Sequence, residues 1–150
     1  MELEETDKKI LSIIVDNSRL SLRQIAKKAG VSVATAMHHL KKLENEGIIK
    51  KYTSKLDYEK IGYDIEVMIE IRISKGKLFD VEKKIMMHPN VFAVYDVTGD
   101  FDALVLARFP TRRKMDDFLK KIQTYDFVER TETHLILRTM KEENIGVEGL

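Results

Sequence analysis

Between Ser32 and Lys42 the chain carries hydroxyls, imidazoles, a thioether and two ammonium groups on what reads as one helix. The residues expected to point outward from it are Ser32, Val33, Thr35, Met37, His38, His39, Lys41 and Lys42. Such groups suit the edges of base pairs, since hydroxyls and imidazoles exchange hydrogen bonds with bases and apolar groups meet thymine methyls. Lys41, Lys42, Lys50 and Lys51, with Arg23, Lys27 and Lys28, are then placed to meet phosphates. A metal reading of His38 and His39 fails, because helix neighbours point about 100° apart. Their i+4 partners, Lys42 and Leu43, are not ligands. Asp96, Asp100, Asp102 and Asp126 invite acid–base chemistry, but a D-x-D beside a glycine reads as turn chemistry. The chain has no G-x-S-x-G, P-loop, H-E-x-x-H or G-x-G-x-x-G motif, so no enzymatic step, metal or cofactor is expected. Met86, Met87, Met115 and Met140 read as core filler.

Charge supports a division of labour. Residues 1–55 carry a net +4 and residues 56–150 a net −3, so only the first third is expected to approach a polyanion. With 150 residues the chain can form two small domains. The absence of cysteine excludes disulfides and thiolate metal sites. The start, MELEETDKK, lacks the apolar stretch of a secretory leader, and no apolar run reaches the roughly 20 residues of a membrane span. A cytoplasmic protein without membrane contact is expected.

Three helices must position the outward groups. Thr6–Asn17 carries Ile10, Ile13 and Ile14 at helical spacing. Ser21 and Gln24 form a capping box for a second helix with Leu22, Ile25, Ala26 and Ala29 on one face, closed by Gly30. Ser32 caps a third helix with Ala36, Leu40 and Leu43 inside, ended by Gly47. A strand or short wing is expected over IIKKYTSKLD. This is the helix-turn-helix arrangement, whose last helix enters the major groove of double-stranded DNA.

Beyond a hinge at 56–62 the period changes. Ile65 to Ile73 alternate apolar and polar, and Leu78, Val81, Ile85 and Met86 follow a helical period stopped by Pro89. VFAVYDV and ALVLARF flank a Gly-Asp turn as a hairpin. Met115, Phe118, Leu119 and Ile122 line a second helix, and FVERTETHLILR reads as a final strand. The order βαββαβ predicts a ferredoxin-like sheet with both helices on one face. Its other face, partly apolar, is expected to pair with a second copy. An RNA-recognition module shares this order, but ALVLARF lacks its stacking aromatics. The fold class is therefore α+β, with a winged helix-turn-helix at 1–55, a hinge at 56–62, a βαββαβ domain at 63–140 and a tail at 141–150.

Two motifs extend this reading. L-x-x-x-D-x-x-I-L (Leu3, Asp7, Ile10, Leu11) precedes G-V-S-x-x-x-A-x-x-H-L-x-x-L-E-x-x-G-I-I (Gly30 to Ile49). The second domain carries T-G-D-F-D (Thr98 to Asp102) and V-x-x-T-x-T (Val128, Thr131, Thr133). Together they resemble the Lrp/AsnC, or feast/famine, regulators. The resemblance implies DNA-binding repressors or activators that dimerise through the C-terminal sheet and hinge strand and assemble into tetramers or octamers. It also implies an amino-acid effector held by Gly99, Asp100, Phe101 and Asp102, followed by Thr131 and Thr133. Where this family carries Arg, the chain has His39, for which a shorter, pH-dependent DNA contact is expected. Two other members of the same shape set alternatives: a tetrapyrrole (haem-pathway) decarboxylase, and a stand-alone amino-acid sensor that does not bind DNA.

Overall fold

The computed structural model describes residues 2–150, which divide into two compact units. The first comprises residues 2–55 and 141–150, the second residues 56–140.

In the first unit α1 (Glu5–Asp16), α2 (Leu22–Ala29) and α3 (Val33–Asn45) pack around Ile10, Leu11, Ile14, Ile25, Ala26, Ala29, Ala36 and Leu43. Each helix begins or ends where its sequence dictates. The Ser21 hydroxyl accepts from the Gln24 amide at 3.2 Å while Gln24 Oε1 accepts from the Ser21 amide at 2.8 Å. Two otherwise orphaned donors are thereby satisfied. Gly30 ends α2 at φ +71°, a left-handed conformation that costs glycine nothing and lets the chain turn at once into α3. Ser32 then accepts from the Thr35 amide at 3.1 Å. Val147 packs against the same core, so the tail at 141–150 belongs to this unit.

The wing expected over residues 48–57 forms no strand. A strand needs a hydrogen-bonding partner, and no strand of the first unit, among the described residues, offers one to this segment.

The second unit has the expected order: β1 (Ile65–Ile73), α4 (Leu78–Met86), β2 (Val91–Asp96), β3 (Ala103–Phe109), α5 (Arg112–Gln123) and β4 (Val128–Leu135). The strands lie β2-β3-β1-β4, all antiparallel. Period two sorts the side chains. Val67, Ile69, Ile71, Ala103, Val105 and Ala107 are buried on the helix-covered face with Val81, Ile85, Phe118 and Ile122. Alternate residues Glu66, Met68, Glu70 and Arg72 of β1 lie on the opposite face, level with Leu104, Leu106 and Arg108 of β3.

Candidate nucleic-acid interface and effector turn

Ser32 at the N-cap and Val33, Met37, His38 and Lys41 of α3 are exposed, while Thr35 is half-buried and its hydroxyl receives a hydrogen bond from Ser32 at 2.8 Å. Arg23, Lys27 and Lys28 are exposed on α2, and Lys50 and Lys51 after α3. Cations thus flank a surface of hydroxyl, imidazole and apolar groups.

His39 is the correction. Rather than pointing outward it is buried, 8% exposed, with Nδ1 2.6 Å from Oδ1 of Asp7, which is itself 0% exposed. Lys42 is likewise drawn in, its Nζ 2.8 Å from Asp7 Oδ2 and 3.3 Å from Glu4 Oε1. The Glu4 amide also donates to Asp7, at 2.9 Å. The reason is helical geometry. A helix buries positions i, i+3, i+4 and i+7, and in α3 these are Ala36, His39, Leu40 and Leu43. In α1 the matching stripe is Asp7, Ile10, Leu11 and Ile14. His39 and Asp7 are therefore two polar members of facing apolar stripes, and they meet.

Burial alone would raise the Asp7 pKa. Hydrogen bonds from Lys42, His39 and the Glu4 amide, with the Lys42 charge, more than offset this and hold it below the usual carboxylate range. The hydrogen bond to Asp7 raises the Lys42 pKa, aided by Glu4. An ionised Asp7 can only accept, so His39 Nδ1 carries the proton of their bond. His39 and Lys42 both turn toward Asp7 and fasten α3 to α1.

The candidate effector residues gather at one end of the sheet. Gly99 turns the chain at φ +112°, a conformation that side-chain-bearing residues rarely adopt, and leaves Asp100 exposed. Asp102 leads into β3, where its neighbour Ala103 pairs with Ile71, and Ile71 pairs on its other side with Thr131. The turn and Thr131 thus flank the same residue of β1. The Arg130 guanidinium stacks 4.7 Å from the Phe101 ring centroid, which joins the two segments. Thr133 lies farther along, opposite Ile69. A depression of about 260 Å³ is lined by Gln123, Val128, Glu129, Arg130 and Thr131.

Asp102 holds structure as well. Its Oδ2 accepts from the Ile73 amide at 2.7 Å and its own amide donates to Ile71 at 2.9 Å. The turn-chemistry reading is thereby refined: this carboxylate serves a strand 29 positions away in sequence rather than its own nearby backbone. Close by in sequence, Asp96 receives a hydrogen bond from Glu82 of α4, a pairing absent from the sequence reading. Burial, then that bond and the Asp96 charge, push Glu82 from an ordinary 4.5 up to about 7. The signal was again the stripe, here Leu78, Val81, Glu82 and Ile85.

A capped helix-turn-helix with a separate βαββαβ unit defines a class: transcription regulators with distinct DNA-binding and ligand-binding parts. Residues 3–50 match the model of the winged helix-turn-helix DNA-binding domain, and residues 66–145 that of the Lrp/AsnC ligand binding domain. Over 143 residues the chain is 43% identical to an uncharacterized HTH-type transcriptional regulator of Pyrococcus furiosus, covering 95% of this chain and 97% of that one. The structure of Escherichia coli AsnC matches with a TM-score of 0.89 at 24% identity, over 97% of this chain and 99% of that one. A Neisseria meningitidis transcriptional regulator, solved as an L-Met complex, matches with a TM-score of 0.87 at 24% identity, over 95% and 94% of the two chains. The chain belongs to the Lrp/AsnC family of transcription regulators.

Proposed function

We propose that this regulator reads duplex DNA with the exposed face of α3 and that a small effector, an amino acid, changes its assembly or its DNA affinity. The observation that carries the reading is the capped α3, with Ser32, Val33, Met37, His38 and Lys41 exposed beside the cations of α2 and residues 50–51. Thr35, half-covered, completes that surface. An α-helix of this kind fits the major groove with its N-terminal residues at the base edges, while lysines on either side neutralise phosphates. His39 and Lys42 support the surface from behind. Binding without covalent chemistry is all this reading requires, and the cell compartment it implies is the cytoplasm.

The effector reading is supported by the Gly99–Asp102 turn beside Thr131, and by the L-Met complex of the Neisseria relative. Exposed turn amides suit a carboxylate, and Asp100 suits an ammonium group. The open face of the sheet, with Met68, Leu104 and Leu106, supports pairing with a second copy and assembly into tetramers or octamers. An effector that binds one assembly better than another shifts DNA affinity by its difference in affinity for the two.

Selection from a random duplex pool, with and without a mixture of the twenty amino acids, tests both parts. The expected result is an enriched motif whose recovery changes with the mixture. A pool that stays random under both conditions overturns DNA reading, and an enriched motif indifferent to every amino acid overturns the effector assignment.

A further inference from the structure

On the open face of the sheet, at the β1–β4 pair, three metal-ligating side chains converge that the spacing of the sequence keeps apart. Glu70 of β1 stands directly opposite Glu132 of β4, and His134 follows two residues later on the same face. His134 Nε2 lies 3.5 Å from Glu70 Oε2 and 3.9 Å from Glu132 Oε1. One ligand atom of each residue lies within 4.8 Å of both others. Two carboxylates in direct register on neighbouring strands repel each other. Two arginines of the same strands are engaged elsewhere: Arg72 Nε lies 3.5 Å from Glu129, and the Arg130 guanidinium stacks on Phe101.

We propose that Glu70, Glu132 and His134 bind one divalent transition-metal ion. Ligand atoms about 2.0–2.2 Å from a tetrahedral ion lie roughly 3.3–3.6 Å from one another, so the imidazole's separations of 3.5 Å and 3.9 Å from the two carboxylates need only a small contraction. The imidazole selects the class. Calcium and magnesium take oxygen ligands, whereas a nitrogen with two carboxylates suits zinc, cobalt, nickel, manganese or ferrous iron. Three protein ligands leave a position for water or for a group from another molecule. In the single chain all three side chains are between 30% and 53% exposed, so the ion can enter before a second copy covers this face. Binding here ties β4, the edge strand, to β1 and removes the repulsion between the two glutamates. The site uses the residues of β4 that alternate with Thr131 and Thr133, and it does not depend on the effector assignment.

The full chain, freed of metal by chelation, is titrated with cobalt(II) chloride in the visible range and with zinc chloride by calorimetry. The expected result is one ion per chain, with ligand-field bands that zinc displaces. Removing a ligand is expected to weaken binding by about a hundredfold or more, since even outer-sphere changes cost about tenfold to a hundredfold. His134→Ala and Glu132→Gln should both do this, while Glu59→Gln, at an exposed carboxylate outside the cluster, leaves uptake unchanged. Circular dichroism confirms that each variant is folded. Absence of both cobalt bands and zinc heat overturns the proposal. So does uptake that survives His134→Ala.

Discussion

Replacing His39 with alanine separates the two places this residue could act. In the structure it donates to buried Asp7 at 2.6 Å and contributes to the contact between α1 and α3. Alanine removes a hydrogen bond to a buried charge, worth about 1.5–3 kcal/mol, and Asp7 keeps only Lys42 and the Glu4 amide. The first unit should therefore lose about 2 kcal/mol, roughly a thirtyfold rise in its open population. Native-state hydrogen exchange of amides in α1 and α3 reads that population directly. At a temperature where the variant stays folded, duplex affinity, sequence preference and salt dependence should match the parent. A variant with unchanged exchange but altered base preference would refute the reasoning, because His39 would then face DNA and Asp7 would need no partner.

Other expectations rest on the second unit. Glu82 has a folded pKa of about 7 against an ordinary 4.5, so its stabilisation is complete below about pH 4.5 and is lost as pH rises through 7. At about 1.4 kcal/mol per pH unit the loss reaches at most about 3.5 kcal/mol. Glu82→Gln should flatten that slope and exceed the parent in stability at pH 8.5 by urea unfolding; parallel curves at pH 5 and 8.5 would contradict this. Asp102→Ala leaves the Ile73 amide without its acceptor and should cost about 1–3 kcal/mol of unfolding free energy. Asp100→Ala, at an exposed turn position, should change stability by less than about 0.5 kcal/mol yet abolish the calorimetric response to the effector amino acid. Full retention of that heat would place the effector elsewhere.

The elements were legible because they obey simple periods. Alternation gave β1 its bounds at Ile65 and Ile73, and the capping residues Ser21 and Ser32 with Gly30 located α2 and α3 within a residue. The buried polar side chains were harder to place. Asp7, His39 and Glu82 each occupy a stripe position that helical spacing assigns to the interior. Residue type argued for the surface, and packing geometry prevailed because each polar group finds a partner inside. A strict application of the i, i+3, i+4, i+7 rule to α3 would have moved His39 inward. Lys42 could not be placed this way, since its inward turn depends on an acid from another helix. The Glu70–Glu132–His134 cluster was invisible for a related reason. Strand register, which brings positions 62 residues apart face to face, is not written in the spacing of either strand. The wing over residues 48–57 failed because a strand is a property of a pair, and a single chain's pattern does not supply the partner.

The central claim is that the exposed face of α3 and its flanking lysines meet DNA, and the salt dependence of duplex affinity tests it most directly. Each neutralised phosphate contributes about −0.9 to the slope of log affinity against log salt. The parent should show a steep negative slope, and Lys41→Ala should flatten it by about one per bound chain while weakening all sequences alike. Affinity that is insensitive to salt, or a slope that Lys41→Ala leaves unchanged, would contradict the account.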